Sequence, residues 1–170
     1  MKNLEFELKM LTQEKNKLDA ERLSTNFEKS MLLTSKILEV ERRISDKKND
    51  EFAQVFDFGI KYFNNIEVTS DFFNTVVKLE NDISIKFIGT VELYFGGIND
   101  EVFESHQLFG KGMDICGSFK VINSNWIKKL QFQNSIHEGY KSENWKNINH
   151  YIIRSKEGEF SCIASSWEII

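Results

Sequence analysis

Five residues in this chain could ligate a metal or carry thiol–imidazole chemistry: Cys116, Cys162, His106, His137 and His150. Zinc sites usually present two ligands at a short spacing, such as C-x-x-C or H-x-x-x-H, so that one turn preorganises half of the site. None of the five is paired in that way, and no metal ligand is assigned. A nucleophilic cysteine needs basic neighbours or a helix N-terminus to hold its thiolate. Cys162 lies in the alternating run Phe160–Ala164 and Cys116 is followed by Gly117, so neither has that setting. Leu108-Phe109-Gly110-Lys111-Gly112 lacks the spacing of a phosphate loop, and no hydroxyl follows the lysine to hold magnesium. The residues therefore assign no catalytic group, and no cofactor is expected.

The densest grouping of side chains suited to binding is Trp126, His137, Tyr140, Trp145, His150 and Tyr151, interleaved with six asparagines between 123 and 149. Aromatic rings offer large contact area at low entropy cost, and amides add hydrogen bonding, so such a cluster could line a pocket. The competing account is that the rings anchor helices to a sheet while the asparagines serve turns and caps. An enzyme site would also gather acidic or basic groups, and only Glu138 and Glu143 lie near.

Positioning these residues falls to an α+β fold. Phe73–Leu79, Ile83–Phe87 and Val91–Phe95 alternate in hydrophobicity, with Asn81-Asp82 as a turn, which predicts a three-stranded antiparallel meander. Phe119–Ile122 predicts a further strand. His150–Arg154 and Phe160–Ile163 flank Lys156-Glu157-Gly158-Glu159 and predict a hairpin. Residues 51–64, with Phe52, Val55, Phe56, Ile60 and Phe63, fit a short helix, as do 125–133 and 141–148. Short strands with few helices between them imply a mainly antiparallel, curved sheet.

A different object precedes this domain. Residues 1–50 hold 11 Lys/Arg and 10 Asp/Glu, no glycine and two aromatics, whereas all nine glycines lie beyond residue 50. The chain thus divides into a charged, coiled-coil-like helical arm over 1–48 and a compact domain over 49–170. Leu4, Leu8, Leu11 and Leu18 form one apolar stripe at helical spacing, and Leu33, Ile37, Val40 and Ile44 another, one residue out of register. A single helix of about 45 residues would span roughly 65–70 Å at 1.5 Å per residue. A hairpin broken at Leu23–Asn26 is the alternative, with Thr25 and Glu28 as a capping box. The absence of Gly or Pro at the break favours the single helix. In either form the stripe needs a covering surface, because an isolated helix draws little stability from propensity. The eight stripe residues are therefore the candidate partner-binding surface, and a homodimer or a foreign protein the candidate partner.

A net charge of −4 argues against a nucleic-acid partner, which would require a basic face. No apolar run approaches membrane-spanning length, the start lacks a signal core, and two cysteines make no disulfide framework. A cytoplasmic location is the expectation. Every peptide bond is expected trans, since proline is absent. From Trp126 to the end, roughly a quarter of the chain, Trp126-Ile127, Asn134–His137, His150–Ile153 and Phe160–Ala164 resemble the C-terminal part of a family of small, uncharacterised bacterial proteins. Lys156–Glu159 departs from the acidic-hydroxyl turn of that family. The resemblance implies the final hairpin and no catalytic role.

The leading expectation is a non-enzymatic interaction module, dimerising through the arm, with an immunity, anti-defence or regulatory role in a bacterium or phage. The alternatives are a small-ligand or enzymatic domain with a pocket near Trp126, His137, Trp145 and His150, and a subunit tethered to a larger assembly by the arm.

Overall fold

The computed structural model describes residues 1–20, 27–56, 58, 65–71, 73–80, 83–97 and 99–170. The arm is a helical hairpin rather than one rod: α1 (Lys2–Ala20) packs against α2 (Phe27–Lys48). The helices run antiparallel, with Glu7 4.0 Å from Arg43 at one end and Ser30 donating to Asp19 over 2.6 Å at the other. The two leucine-rich stripes face each other. Leu4, Leu33 and Val40 are buried, and Leu8, Leu11, Leu18, Ile37 and Ile44 are half-buried. Each fully buried aliphatic side chain contributes roughly 1.5–3 kcal/mol, so the hairpin itself meets the demand of the stripes for cover. The one-residue slip needs no absorption, because each stripe belongs to its own helix. The proposed break at Leu23–Asn26, with Thr25 as cap, lies outside the described residues.

α2 ends where the composition changes, and its end has a local cause. Asn49 adopts a left-handed conformation (φ 54°), its N–H donates to the Asp46 carbonyl, and Asp50 N–H donates to that of Ser45. This is a Schellman cap, with Lys47 and Lys48 in the last turn complementing the helix dipole. One flank of α2 then lies along the domain. Ser45 is buried there, and the Glu41 carboxylate accepts from Gly112 N–H at 3.1 Å. Burial pushes the Glu41 carboxyl up, against the pull of that hydrogen bond.

The described residues of the domain form nine strands: β1 (Phe52–Val55), β2 (Ile66–Ser70), β3 (Asn74–Leu79), β4 (Ser84–Ile88), β5 (Glu92–Gly96), β6 (Gly117–Ile122), β7 (Asn149–Arg154), β8 (Glu159–Ala164) and β9 (Ser166–Ile169). They form two antiparallel sheets, ordered β1-β6-β7-β8-β5 and β2-β3-β4-β9. The sheets meet at a corner made by two strands that pass from one to the other. β4 runs on into β5 and β8 into β9, pairing first as Ile88↔Ser166 and then as Glu92↔Ile163. Three residues on one strand oppose two on the other across the bend, a bulge that turns the ladder. Gly89 makes the turn possible: its φ is +64°, and a Cβ there would stand 2.5 Å from Ser165 Oγ.

The centre of the five-stranded sheet, β7 and β8, is buried on both faces. Toward the second sheet, Tyr151, Ile153, Phe160, Cys162 and Ala164 pack on Val77, Leu79, Ile85 and Phe87. Away from it, Ala53, Phe119, Val121 and Ile152 are covered by Phe103, Leu108 and Met113 from the connection between β5 and β6. That connection opens with a 3-10 turn, Asp100–Ser105. α3 (Asn125–Asn134) lies between β6 and β7.

Three sequence expectations change. Phe52–Val55 is an edge strand paired with β6, not the start of a helix, because a short apolar run carries no decisive period and tertiary pairing settles it. Ile60 and Phe63, from the same expected helix, lie outside the described residues, as does the Asn81-Asp82 turn. The third run of the expected meander pairs with β8, since the bend at Gly89 carries it into the other sheet. The helical segment expected over 141–148 is confined to a 3-10 turn at Ser142–Trp145.

Candidate functional site

The outer face of the five-stranded sheet carries three cross-strand rows, fixed by register. The first is Val121, His150, Ile163 and Glu92; the second Phe119, Ile152, Ser161 and Tyr94; the third Gly117, Arg154, Glu159 and Gly96. Phe103 and His106 cover the third row. Trp126, in the first turn of α3, covers the first. Its indole meets the His150 ring edge-on at 5.2 Å, and its Nε1–H donates to Glu92 Oε2 at 2.7 Å. It therefore bridges β7 to β5 above Ile163. Between the two covers, over the second row, lies a cavity of about 390 Å³ lined by Tyr94, His106, Gln107, Trp126, His150, Ile152, Glu159 and Ser161. That volume falls within the range of small-molecule sites.

Two groups of polar side chains line it. Under the third row, Glu159 Oε2 accepts from His106 Nε2 at 3.2 Å and Arg154 Nη1 at 3.3 Å, while Glu159 Oε1 accepts from Ser161 Oγ at 2.7 Å. His106 Nδ1 accepts from Leu108 N–H, so its ring proton sits on Nε2 and points at Glu159. Arg154 has no exposed surface, donates through Nε to the Ile115 carbonyl, and stacks its guanidinium 4.5 Å from the Phe103 ring centroid. Burial works to raise the Glu159 carboxyl, but the hydrogen bonds from His106 and Ser161 and the Arg154 charge overcome it and hold the group below its ordinary range.

Beneath the first row, His150 is 2 % exposed. Its Nδ1 lies 2.9 Å from Ser124 Oγ, the N-cap of α3, whose oxygen also accepts from Ile127 N–H. Among the described residues Nδ1 is the only acceptor for the Ser124 hydroxyl proton. That places the imidazole proton on Nε2, and Nε2 is buried with no partner among the described residues. Glu51, also buried, accepts from Asn125 N–H and completes the capping of α3, which fixes Trp126.

Burial lowers His150 from its ordinary 6.5 to about 4, outweighing the nearby Glu159 charge, which acts to raise it; His106 adds to the lowering. A depressed base costs stability in acid. The unfolded chain takes up the proton near pH 6.5, while the folded chain resists until about pH 4. Unfolding free energy should therefore fall across that window, by about 3 kcal/mol at its end. Urea titrations between pH 7.5 and 4.5 test this, and His150→Phe should flatten the part of the slope above pH 5.

The six aromatic and histidine residues of the sequence cluster separate into three places. Trp126 and His150 share the cavity. His137, Tyr140 and Trp145 line a smaller hollow of about 190 Å³ beyond the end of α3, with His137 exposed. Tyr151 points to the opposite face of its strand and packs on Phe56 and Phe87 at 5.6 and 5.4 Å. The asparagines serve local structure: Asn123 sits at φ 55°, and Asn134 and Asn149 donate to neighbouring carbonyls. The sequence reading missed Tyr94, Glu159, Ser161, Arg154 and Ser124. Their one signal is that His150, Arg154, Glu159 and Ser161 fall on the same side of two strands otherwise rich in apolar residues.

Burial raises both thiols, Cys162 well above its ordinary value, so neither cysteine is set up as a thiolate. Among the described residues no group of three or more His, Cys, Asp or Glu is placed to hold a metal ion, and no helix is long and apolar enough to cross a membrane. The chain matches no protein-family model, no curated protein and no solved structure.

Proposed function

We propose that the chain is a non-enzymatic binding domain that holds a small molecule against His150, in the cavity over β5, β8 and β7. One observation carries this reading: a buried imidazole nitrogen without a partner among the described residues, on a side chain that lines an open cavity. Leaving such a group unsatisfied costs roughly 1–3 kcal/mol, which a ligand acceptor would recover. Binding is favoured over turnover because the buried polar groups beside His150 are committed to one another. The Ser161 proton is on Glu159, and both His106 nitrogens are engaged. A fragment library titrated into the full chain should shift the Trp126 indole and His150 ring resonances together. A bound fragment at 100 times its Kd should add about 2.7 kcal/mol to stability. A library that leaves both side chains unperturbed rejects the reading.

A second reading has the arm contact another protein or a second copy of the chain, the setting for an immunity, regulatory or assembly role. The eight stripe residues no longer support it, since they cover one another. The outer faces do. Phe6 (63 % exposed) and Met10 stand one turn apart on the side of α1 opposite its stripe, and Phe27 (68 % exposed) and Met31 one turn apart on α2. Sedimentation equilibrium at tens of micromolar should then give a mass above the monomer that Phe6→Ser with Met10→Ser reduces. A monomer in both forms rejects it.

A further inference from the structure

The groups that face the cavity restrict what it can hold. In the first row His150 lines the cavity, and its Nε2–H is buried and without a partner among the described residues. In the second row the Ser161 proton is spent on Glu159, so Ser161 Oγ faces the space with lone pairs only. The floor between them is Ile152. One wall is the Trp126 indole, held in place at both ends by His150 and Glu92. The other is Tyr94, whose phenol leans along its strand over Gly96. A Cβ at Gly96 would stand 2.7 Å from the Tyr94 hydroxyl oxygen, so only glycine leaves the ring in that position. Two aromatic walls around a narrow apolar floor suit a flat ligand.

Charge narrows the class further. Arg154 is matched by Glu159 and wholly buried beneath Phe103, so among the described residues the cavity has no accessible cation for an anionic ligand. Glu159 receives three hydrogen bonds, and Glu92, tied to the indole of Trp126, does not line the cavity. The carboxylate that lines it is thus committed to its own partners.

Resting on the reading of the cavity as a ligand site, we infer that its ligand is an uncharged planar ring bearing a hydrogen-bond acceptor for His150 and a donor for Ser161, the chemistry of a cyclic amide. The ring would lie between Trp126 and Tyr94 on Ile152, with its carbonyl on His150 Nε2–H and its N–H on Ser161 Oγ. The imidazole remains a neutral donor at pH 7, which suits a carbonyl and gives no ion-pair advantage to a carboxylate.

The test titrates the full chain with 2-pyridone and uracil as neutral cyclic amides, benzoate and benzylamine as charged rings, and toluene as a ring without hydrogen bonding. Binding is read from the Trp126 indole and His150 ring resonances. The cyclic amides should saturate with at least tenfold higher affinity than the other three. His150→Phe and Ser161→Ala, each shown to be folded by its amide spectrum, should lower that affinity at least tenfold. Benzoate, benzylamine or toluene binding as tightly as 2-pyridone overturns the ligand class and leaves the pocket standing. Unchanged affinity in both variants overturns the assigned contacts. No response to any of the five probes overturns the pocket and the class together.

Discussion

Glu159→Gln is expected to destabilise the protein by about 3–5 kcal/mol, the range found when one partner of a buried ion pair is removed. The substitution keeps the shape and removes the charge. Arg154, with no exposed surface, would then keep its positive charge in a site built to neutralise it, and His106 and Ser161 would donate to a weaker acceptor. Since whole domains are stable by only about 5–15 kcal/mol, this single change removes a large share of the total. Urea unfolding at pH 7.5 measures it directly. Replacing both charges, as Arg154→Met with Glu159→Leu, should recover much of the loss, because well-packed apolar pairs often match buried ion pairs. A loss below about 1 kcal/mol for Glu159→Gln would show that the charges are solvated. Acid should reproduce part of the effect. Glu159 titrates below its ordinary value, so its contribution is present above the unfolded carboxyl range and lost as pH falls through the folded one.

Gly112→Ala should be the second large loss, at about 3 kcal/mol or more, from two costs that add. Its φ of +82° lies in the left-handed region, which alone costs an alanine about 1–2 kcal/mol. The new Cβ would also stand 2.5 Å from the Ala53 carbonyl oxygen and 3.6 Å from that of Leu38. Both are backbone atoms, so β1 or α2 would have to move. Gly110→Ala is the control: its φ is +69°, but nothing lies within 4 Å of the added methyl group. It should show the backbone cost without the clash. The consequence of Gly112→Ala is directional as well, because Gly112 N–H holds Glu41 of α2. Amide exchange should quicken along the domain-facing side of α2 while β7 and β8 keep their protection. Equal losses in the two glycine variants would mean that the close approach to Ala53 is not a constraint.

The arm shows why local signals are read well and their assembly is not. The composition changes at Asp46–Asp50, and α2 ends there for a local cause that the structure shows: a Schellman turn needs only a residue tolerant of positive φ after the last helical turn, and Asn49 supplies it. The stripes are legible because their spacing is local too. Whether they meet across a hairpin or along a rod depends on a connection with no Gly or Pro to mark it, and tertiary contact decides.

The candidate site divides along the same line. Trp126 and His150 stand out in sequence as rare residues in a dense cluster, and both line the cavity. Tyr151, beside His150, goes to the opposite face because strand side chains alternate. His137, Tyr140 and Trp145 follow α3 past its end to a separate hollow. Glu159, Ser161, Arg154 and Tyr94 carry no motif at all, since their meeting depends on the pairing of β7, β8 and β5. By itself the sequence determined the mixed class, the helical N-terminal segment and the C-terminal hairpin. Those depend on neighbours a few positions apart. Only the tertiary structure decided which strands share a sheet, which charges are buried together, and that the imidazole of His150, which lines a cavity, keeps one nitrogen without a partner among the described residues. Such facts rest on contacts between residues tens of positions apart, and no local preference encodes them.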